Sequence, residues 1–257
     1  MEIKKRAAII TGGVSGLGAA VARTLIDDGA RIALLDLNQE LGEQMAADLG
    51  EGAMFLPVNV ADHAEVDAAV DKVTAAYGAF HIVVNCAGVG GSVKIVGKEE
   101  VVSPEWFTNM VHVNLVGTFN LLRATAPRLM ENTPNNEGER GVVINTSSIA
   151  AFDGQIGQSA YSASKGGIVS MTLTMTREFA NNGIRVMTIL PGIFDTPLLG
   201  KLPEDVRQRL SKQVPFPPRL GRPPEFASLA RHIIENPYLN GECIRLDGGL
   251  RMGFGRK

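Results

Sequence analysis

The chain has 257 residues, of which 45% are hydrophobic and 20% charged, and its 25 basic and 27 acidic side chains leave a formal net charge of -2. This size and apolar content suit a packed core and exclude disorder over most of the length. There is no surplus of positive charge to grip a phosphate backbone, and no run of roughly 18 apolar residues to span a bilayer, so neither nucleic acid nor membrane is an expected partner.

Strand-like sequence begins within a few residues of Met1, which leaves no room for a secretory leader; a soluble, cytoplasmic protein is expected. Cys86 and Cys243 lie far apart, and His63, His81, His112 and His232 form no ligand pair, so no metal is expected.

Seven short apolar runs recur along the chain: "AAIIT" (7–11), "RIALLD" (31–36), "AMFLPV" (53–58), "HIVVN" (81–85), "GVVINT" (141–146), "RVMTIL" (185–190) and "ECIRLD" (242–247). They are continuous rather than alternating, as suits strands covered on both faces, and they predict an α/β protein of repeated strand–helix units around a parallel sheet. Between them, residues 18–30 and 65–80 carry apolar positions at helical spacing and end near glycine. Pro104 to Met130 reads as one long helix, and Ser159 to Asn181 as another, rich in Gly, Ala and Ser for close packing. Residues 131–141 read as a polar loop. The proline-rich stretch 191–225, with one short helix inside, stands where an α/β protein places a substrate loop.

"TGGVSGLG", Thr11 to Gly18, follows the first run directly and opens the first helix. Gly12 permits a tight turn, Gly16 lets backbone approach a pyrophosphate, and Gly18 allows close packing, with the helix N-terminus facing the anion. Asp36 ends the second run eighteen residues after Gly18, where a carboxylate accepts hydrogen bonds from both hydroxyls of an adenosine ribose. A 2′-phosphate there is repelled. No basic residue follows at Leu37 or Asn38, and Ser15 rather than a cation precedes Gly16, so the reading is NAD over NADP.

These pieces, followed by "NCAG" (85–88), Asn114 in "HVNLVGTFN", "INTSSIAA" (144–151), "YSASK" (161–165) and "PG" (191–192), resemble the short-chain dehydrogenase/reductase family over essentially the whole chain. The resemblance implies a single Rossmann-type domain over 1–257, with helices on both faces of its seven-stranded sheet, and a catalytic set of Asn114, Ser148, Tyr161 and Lys165. It implies a cofactor set of Gly12, Ser15, Gly16, Leu17, Gly18, Asp36, Asn59, Val60, Asn85, Cys86, Ala87, Gly88, Tyr161, Lys165, Pro191, Gly192, Phe194 and Thr196. Ser148 and Tyr161 double as substrate contacts. Asn59 departs from the family, which usually has Asp there; an amide oxygen still accepts a hydrogen bond from an adenine amino group. A homotetramer is implied as well. "AAFDGQIGQSAYSASKGGIVSMTL", "PGIFDTPLL" and "VPFPPRLGRPPEFA" are similar to the group within the family that oxidises 3-hydroxyacyl-CoA thioesters and hydroxysteroids.

In this reading Tyr161 is the base of a secondary-alcohol oxidation. Its phenol, ordinarily near pKa 10, is pulled down by Lys165 one helical turn away and by the cofactor's positive ring. Ser148 steadies the substrate oxygen, and Asn114 holds a water linking Lys165 to solvent. Taken singly, each has a plainer use: an exposed helix face for Tyr161 and Lys165, a turn cap for Ser148, a helix kink for Asn114. In the 191–225 stretch, Phe194, Leu198, Leu199, Leu202, Val214 and Phe216 suit an acyl or sterol lining, and Lys201, Arg207, Arg209 and Lys212 suit coenzyme A phosphates; packing of a short helix accounts for them equally. The expected activity is an NAD-dependent 3-hydroxyacyl-CoA dehydrogenase acting on a small-molecule thioester. Its alternatives are a 3-oxoacyl-[acyl-carrier-protein] reductase and a non-catalytic cofactor-binding or scaffolding protein.

Overall fold

The computed structural model describes residues 1–98, 100–200 and 202–254. Seven strands form: β1 (Ala7–Thr11), β2 (Arg31–Asp36), β3 (Ala53–Pro57), β4 (Ile82–Asn85), β5 (Gly141–Thr146), β6 (Ile184–Pro191) and β7 (Cys243–Leu246). They pair in the order β3-β2-β1-β4-β5-β6-β7, every pair parallel. The order reverses between β1 and β4. At that point successive connections leave toward opposite faces and open a crevice at the strands' C-terminal ends.

The continuous apolar runs have the anticipated cause. In β1, Ala8 and Ile10 face one layer and Ala7 and Ile9 the other, all fully buried; β2 repeats the pattern with Ile32 and Leu34 against Ala33 and Leu35. On the first face, the sheet is covered by α1 (Gly16–Asp27) through Val21 and Leu25, and by the late helix Pro223–Glu235 through Phe226, Ile233 and Ile234. The repeated strand–helix pattern implies a helix between β2 and β3 without giving its bounds; it is α2 (Gln39–Leu49), capped by Asn38 two residues after Asp36 and ended at Gly50. On the opposite face, α3 (His63–Tyr77) contributes Val66, Val70 and Val73. It begins at Asp62, whose carboxylate accepts the N–H groups of Ala64 and Glu65.

The long helix expected from Pro104 to Met130 is interrupted. It consists of α4 (Pro104–Val111), a π-helical segment His112–Val116, and α5 (Gly117–Glu131). The π turn adds a residue to the helical repeat, and such turns recur at functional sites. Its Asn114 is fully buried and ties three elements together: Oδ1 accepts the Val89 N–H at 2.8 Å, and Nδ2 donates to the Val89 carbonyl at 3.0 Å and to Ser164 Oγ at 3.1 Å. The helix α6 (Ser159–Phe179) lies against this segment. Its small residues have the expected use, because a Cβ on Gly167 would stand 2.7 Å from Leu115.

The chain then forms the short turn α7 (Pro197–Gly200), α8 (Glu204–Ser211) and α9 (Pro223–Glu235), the last not anticipated in the sequence. The polar loop 132–140 is less exposed than its composition implies. Glu139 is buried and pairs at 2.7 Å with Arg185 of β6, whose guanidinium also donates to the carbonyls of Ile233 and Ile234 in the last turn of α9 and of Leu239 in the loop beyond it. Among the described residues, no helix is long and apolar enough to cross a membrane.

Candidate active site

At the C-terminal ends of β1, β2 and β3 lies a groove of about 320 Å³. Gly12, Ser15, Gly16, Leu17 and Gly18 line one side and Asp36, Asn59 and Val60 another, and Cys86, Ala87, Gly88 and Thr196 line it toward the middle of the sheet. Gly12 and Gly16 have φ of 60° and 53°, the left-handed region open to glycine. A Cβ on Gly12 would meet the Ala87 backbone at 2.7 Å, and one on Gly18 would collide with the Gly12 carbonyl. Gly18 therefore brings the helix onto the loop itself, a closer contact than the helix-to-sheet packing expected. Asp36 holds its place by accepting the Asn38 N–H at 3.2 Å. The Asn59 oxygen is engaged by the Ala61 N–H at 3.1 Å.

The groove runs into a wider cavity of about 580 Å³, with Leu17, Cys86, Gly88, Val89 and Thr196 shared between them. Ser148, Tyr161, Lys165, Pro191, Gly192 and Phe194 line this second space. Ser148 leaves the end of β5 and opens a short 3-10 turn, its oxygen accepting the Ala150 N–H at 3.1 Å. The Ser148 hydroxyl shares the cavity wall with Tyr161 and favours the ionised form of its phenol. Lys165 follows one turn later on α6, buried, with Nζ donating to the Thr146 carbonyl at 2.9 Å.

In the chain alone, burial dominates the electrostatics of the pair. Burial pushes the Tyr161 phenol up from 10.0, and the Ser148 hydrogen bond offsets this only in part. The Lys165 ammonium is turned to Thr146, 6.0 Å from the tyrosine ring centre, and burial pushes the lysine itself down to about 8. Desolvation disfavours each charged form. Burial likewise raises the Cys86 thiol to about 11, which leaves it un-ionised at the junction of groove and cavity.

Asn114 stands beside this cluster. A Cβ on Gly88 would lie 3.0 Å from Asn114 Oδ1 and 3.4 Å from Lys165 Nζ. Asn85 is not brought into either space: its amide donates to Asn145 Oδ1 at 2.9 Å inside the sheet. Of the proline-rich stretch, Phe194, Leu199 and Leu202 line the cavity. Val214 instead packs with Ile149, Leu190 and Leu250, and Phe216 is 79% exposed. Arg207 is spent on Asp195 at 2.6 Å and Glu204 at 3.2 Å. Lys201 and the side chain of Leu198 lie outside the described residues. The sequence reading missed Val113 and Leu37 in the groove, and Gln158, Ser92 and Met252 in the cavity. Only Gln158 carried a signal, since it stands three residues before Tyr161.

A doubly wound sheet with a glycine cradle at its switch point, and a Ser-Tyr-Lys cluster opening beside it, defines an oxidoreductase. A model of the short chain dehydrogenase family matches residues 6–207, and the chain belongs to that family. It is 50% identical over 253 residues to the 3-hydroxyacyl-CoA dehydrogenase type-2 of Rattus norvegicus, covering 98% of this chain and 97% of the relative. Among solved structures, a 3-hydroxyacyl-CoA dehydrogenase type-2 from Mycobacterium avium superposes with a TM-score of 0.93 at 36% identity, over 98% of each chain. A 3-ketoacyl-(acyl-carrier-protein) reductase from Brucella melitensis, complexed with NADH, does so with a TM-score of 0.88 at 28% identity, over 97% of this chain and 100% of that one. Together they support binding of a nicotinamide cofactor.

Proposed function

We propose that the protein is an NAD-dependent dehydrogenase interconverting 3-hydroxyacyl-CoA and 3-oxoacyl-CoA. The observation that carries the reading is the continuity of two spaces: the groove ending at Asp36 opens directly into the cavity holding Ser148 and Tyr161. The glycine cradle and the Asp36 carboxylate fit a dinucleotide with free ribose hydroxyls, and the cradle has no room for even one added Cβ at Gly18. When bound, the nicotinamide ring supplies the hydride acceptor or donor.

The chain's own residues handle the proton. The Ser148 hydroxyl donates to the substrate oxygen, and Tyr161 takes the hydroxyl proton during oxidation or returns it during reduction. Lys165 would supply positive charge near the phenol and hold the nicotinamide ribose, and Asn114, beside it, would hold a water through which the lysine exchanges protons. Residues 191–225 form the substrate loop, with Phe194, Leu199 and Leu202 against the acyl chain. The assembly is a homotetramer in the cytoplasm; light scattering that gave a single-chain mass would count against it.

The test is reduction of acetoacetyl-CoA, followed by the absorbance of reduced nicotinamide with NADH and NADPH in parallel. Turnover favouring NADH is expected. In Asp36→Ser the preference falls about 10- to 100-fold, because a charged acceptor of the ribose hydroxyls is lost and the repulsion of a 2′-phosphate goes with it. Activity with NADPH alone would replace this reading by a biosynthetic 3-oxoacyl reductase.

A further inference from the structure

The wide cavity carries several polar side chains whose hydrogen-bonding capacity is already committed inside the protein. Ser147 Oγ donates to the Lys165 carbonyl at 2.8 Å, and Ser92 Oγ to the Ile156 carbonyl at 3.0 Å. Thr146 Oγ1 is shared with Cys86 at 3.4 Å.

Gln158 is different. It immediately precedes α6, lines the cavity, and stands three residues before Tyr161 and seven before Lys165, so the three share one helical face. Its Oε1 accepts the Gln155 N–H at 2.9 Å. Only the oxygen of an amide can accept from a backbone N–H, so this bond fixes which end is which and leaves the NH₂ as the free end. Among the described residues, that nitrogen donates to no protein acceptor.

The loop that aims it is itself held. Gln155 Nε2 donates to the Gly253 carbonyl at 3.2 Å, the Ile156 N–H to the Phe254 carbonyl at 3.4 Å, and Asp153 pairs with Arg245 at 2.5 Å. Arg245 also donates to the Leu250 carbonyl at 2.9 Å, so the chain around Met252, which lines the same cavity, is locked to the loop. A donor oriented in advance loses little freedom on binding and discriminates accordingly.

We infer that Gln158 is a specificity-determining residue: its NH₂ donates to a second carbonyl oxygen, two carbons from the one held by Ser148 and Tyr161, and thereby selects 3-oxygenated thioesters over isolated alcohols and ketones. This rests on the acyl-CoA reading above. A helical neighbour one turn away suits oxygens borne on alternate carbons, and a neutral donor suits a thioester carbonyl, which carries no charge.

Gln158→Leu keeps the bulk and removes the donor; Gln158→Glu keeps the length and the bond from Gln155 but donates nothing. The experiment compares kcat/KM for acetoacetyl-CoA with that for a methyl ketone lacking a second carbonyl, alongside NADH affinity by fluorescence titration and the melting temperature. In both variants the ratio of the two kcat/KM values falls about 10- to 100-fold, the range for one buried hydrogen bond, while NADH affinity holds. An unmoved ratio overturns the inference, as does an equal loss on both substrates, which would mean that Gln158 only braces the tyrosine's helix. Wild-type silence on acetoacetyl-CoA with turnover of the ketone removes the acyl-CoA reading itself, and this inference with it. Wild-type turnover with an unmoved ratio removes only Gln158.

Discussion

Tyr161→Phe lowers kcat by about 10²- to 10⁴-fold, the usual span for losing a positioned acid–base group, with NADH affinity retained. The ring keeps its place against the cavity wall and only the oxygen is lost, so the groove that ends at Asp36 is undisturbed. The pH dependence gives a second readout. Burial raises the phenol in the protein's own field, so at neutral pH the alcohol-oxidising form is the minor one. Oxidation by the wild type therefore speeds up as pH rises, whereas reduction, which needs the protonated phenol, does not. The residual oxidation by Tyr161→Phe lacks the rising limb. A variant that retained both rate and limb would remove Tyr161 from the chemistry.

Lys165→Met makes the protein inactive and harder to unfold. The lysine is buried, and its pKa is pushed down to about 8 from an ordinary 10.5. Below pH 8 folded and unfolded chains both hold the proton, so the cost of burying an ammonium is fully present. Between pH 8 and 10.5 the unfolded chain binds more protons than the folded one, and stability rises with pH. Above that range the cost is gone. A depression of this size corresponds to about 3 kcal/mol, less about 1 kcal/mol for the hydrogen bond to Thr146 that methionine cannot make. At pH 7 the variant should melt several degrees higher, at about 2–4 °C per kcal/mol for a chain of this length. Its advantage shrinks as the pH is raised from 8 toward 10.5. A variant less stable than the wild type at pH 7 would mean that the ammonium is well solvated in place. Carrying an uncompensated buried charge is a stability cost that catalysis requires and folding does not.

Much of the architecture is legible in local chemistry. Strands covered on both faces are predominantly apolar, so each of the seven runs announces itself, and the paired polar residues Asn85 and Asn145 lie at or next to strand ends. Gly12 and Gly16 occupy backbone conformations that other residues avoid, and Tyr161 and Lys165 share a face through helical spacing alone. These features depend on near neighbours in the chain, and a sequence records near neighbours directly.

What the tertiary structure alone decided depends on groups brought together from afar. Asn114 bonds to Val89 and Ser164, 25 and 50 residues away, and such contacts accompany a π turn in a stretch whose periodicity reads as plain helix. Val214 and Phe216 have the composition of a substrate lining, but one packs beneath Leu250 and the other faces outward, because the crossing of distant segments sets which side of a loop is inside. The same holds for charge. Spacing placed Lys165 one turn from Tyr161, but desolvation by the surrounding sheet and loops sets both pKa values, and burial is a property of the whole fold that no short stretch of sequence contains.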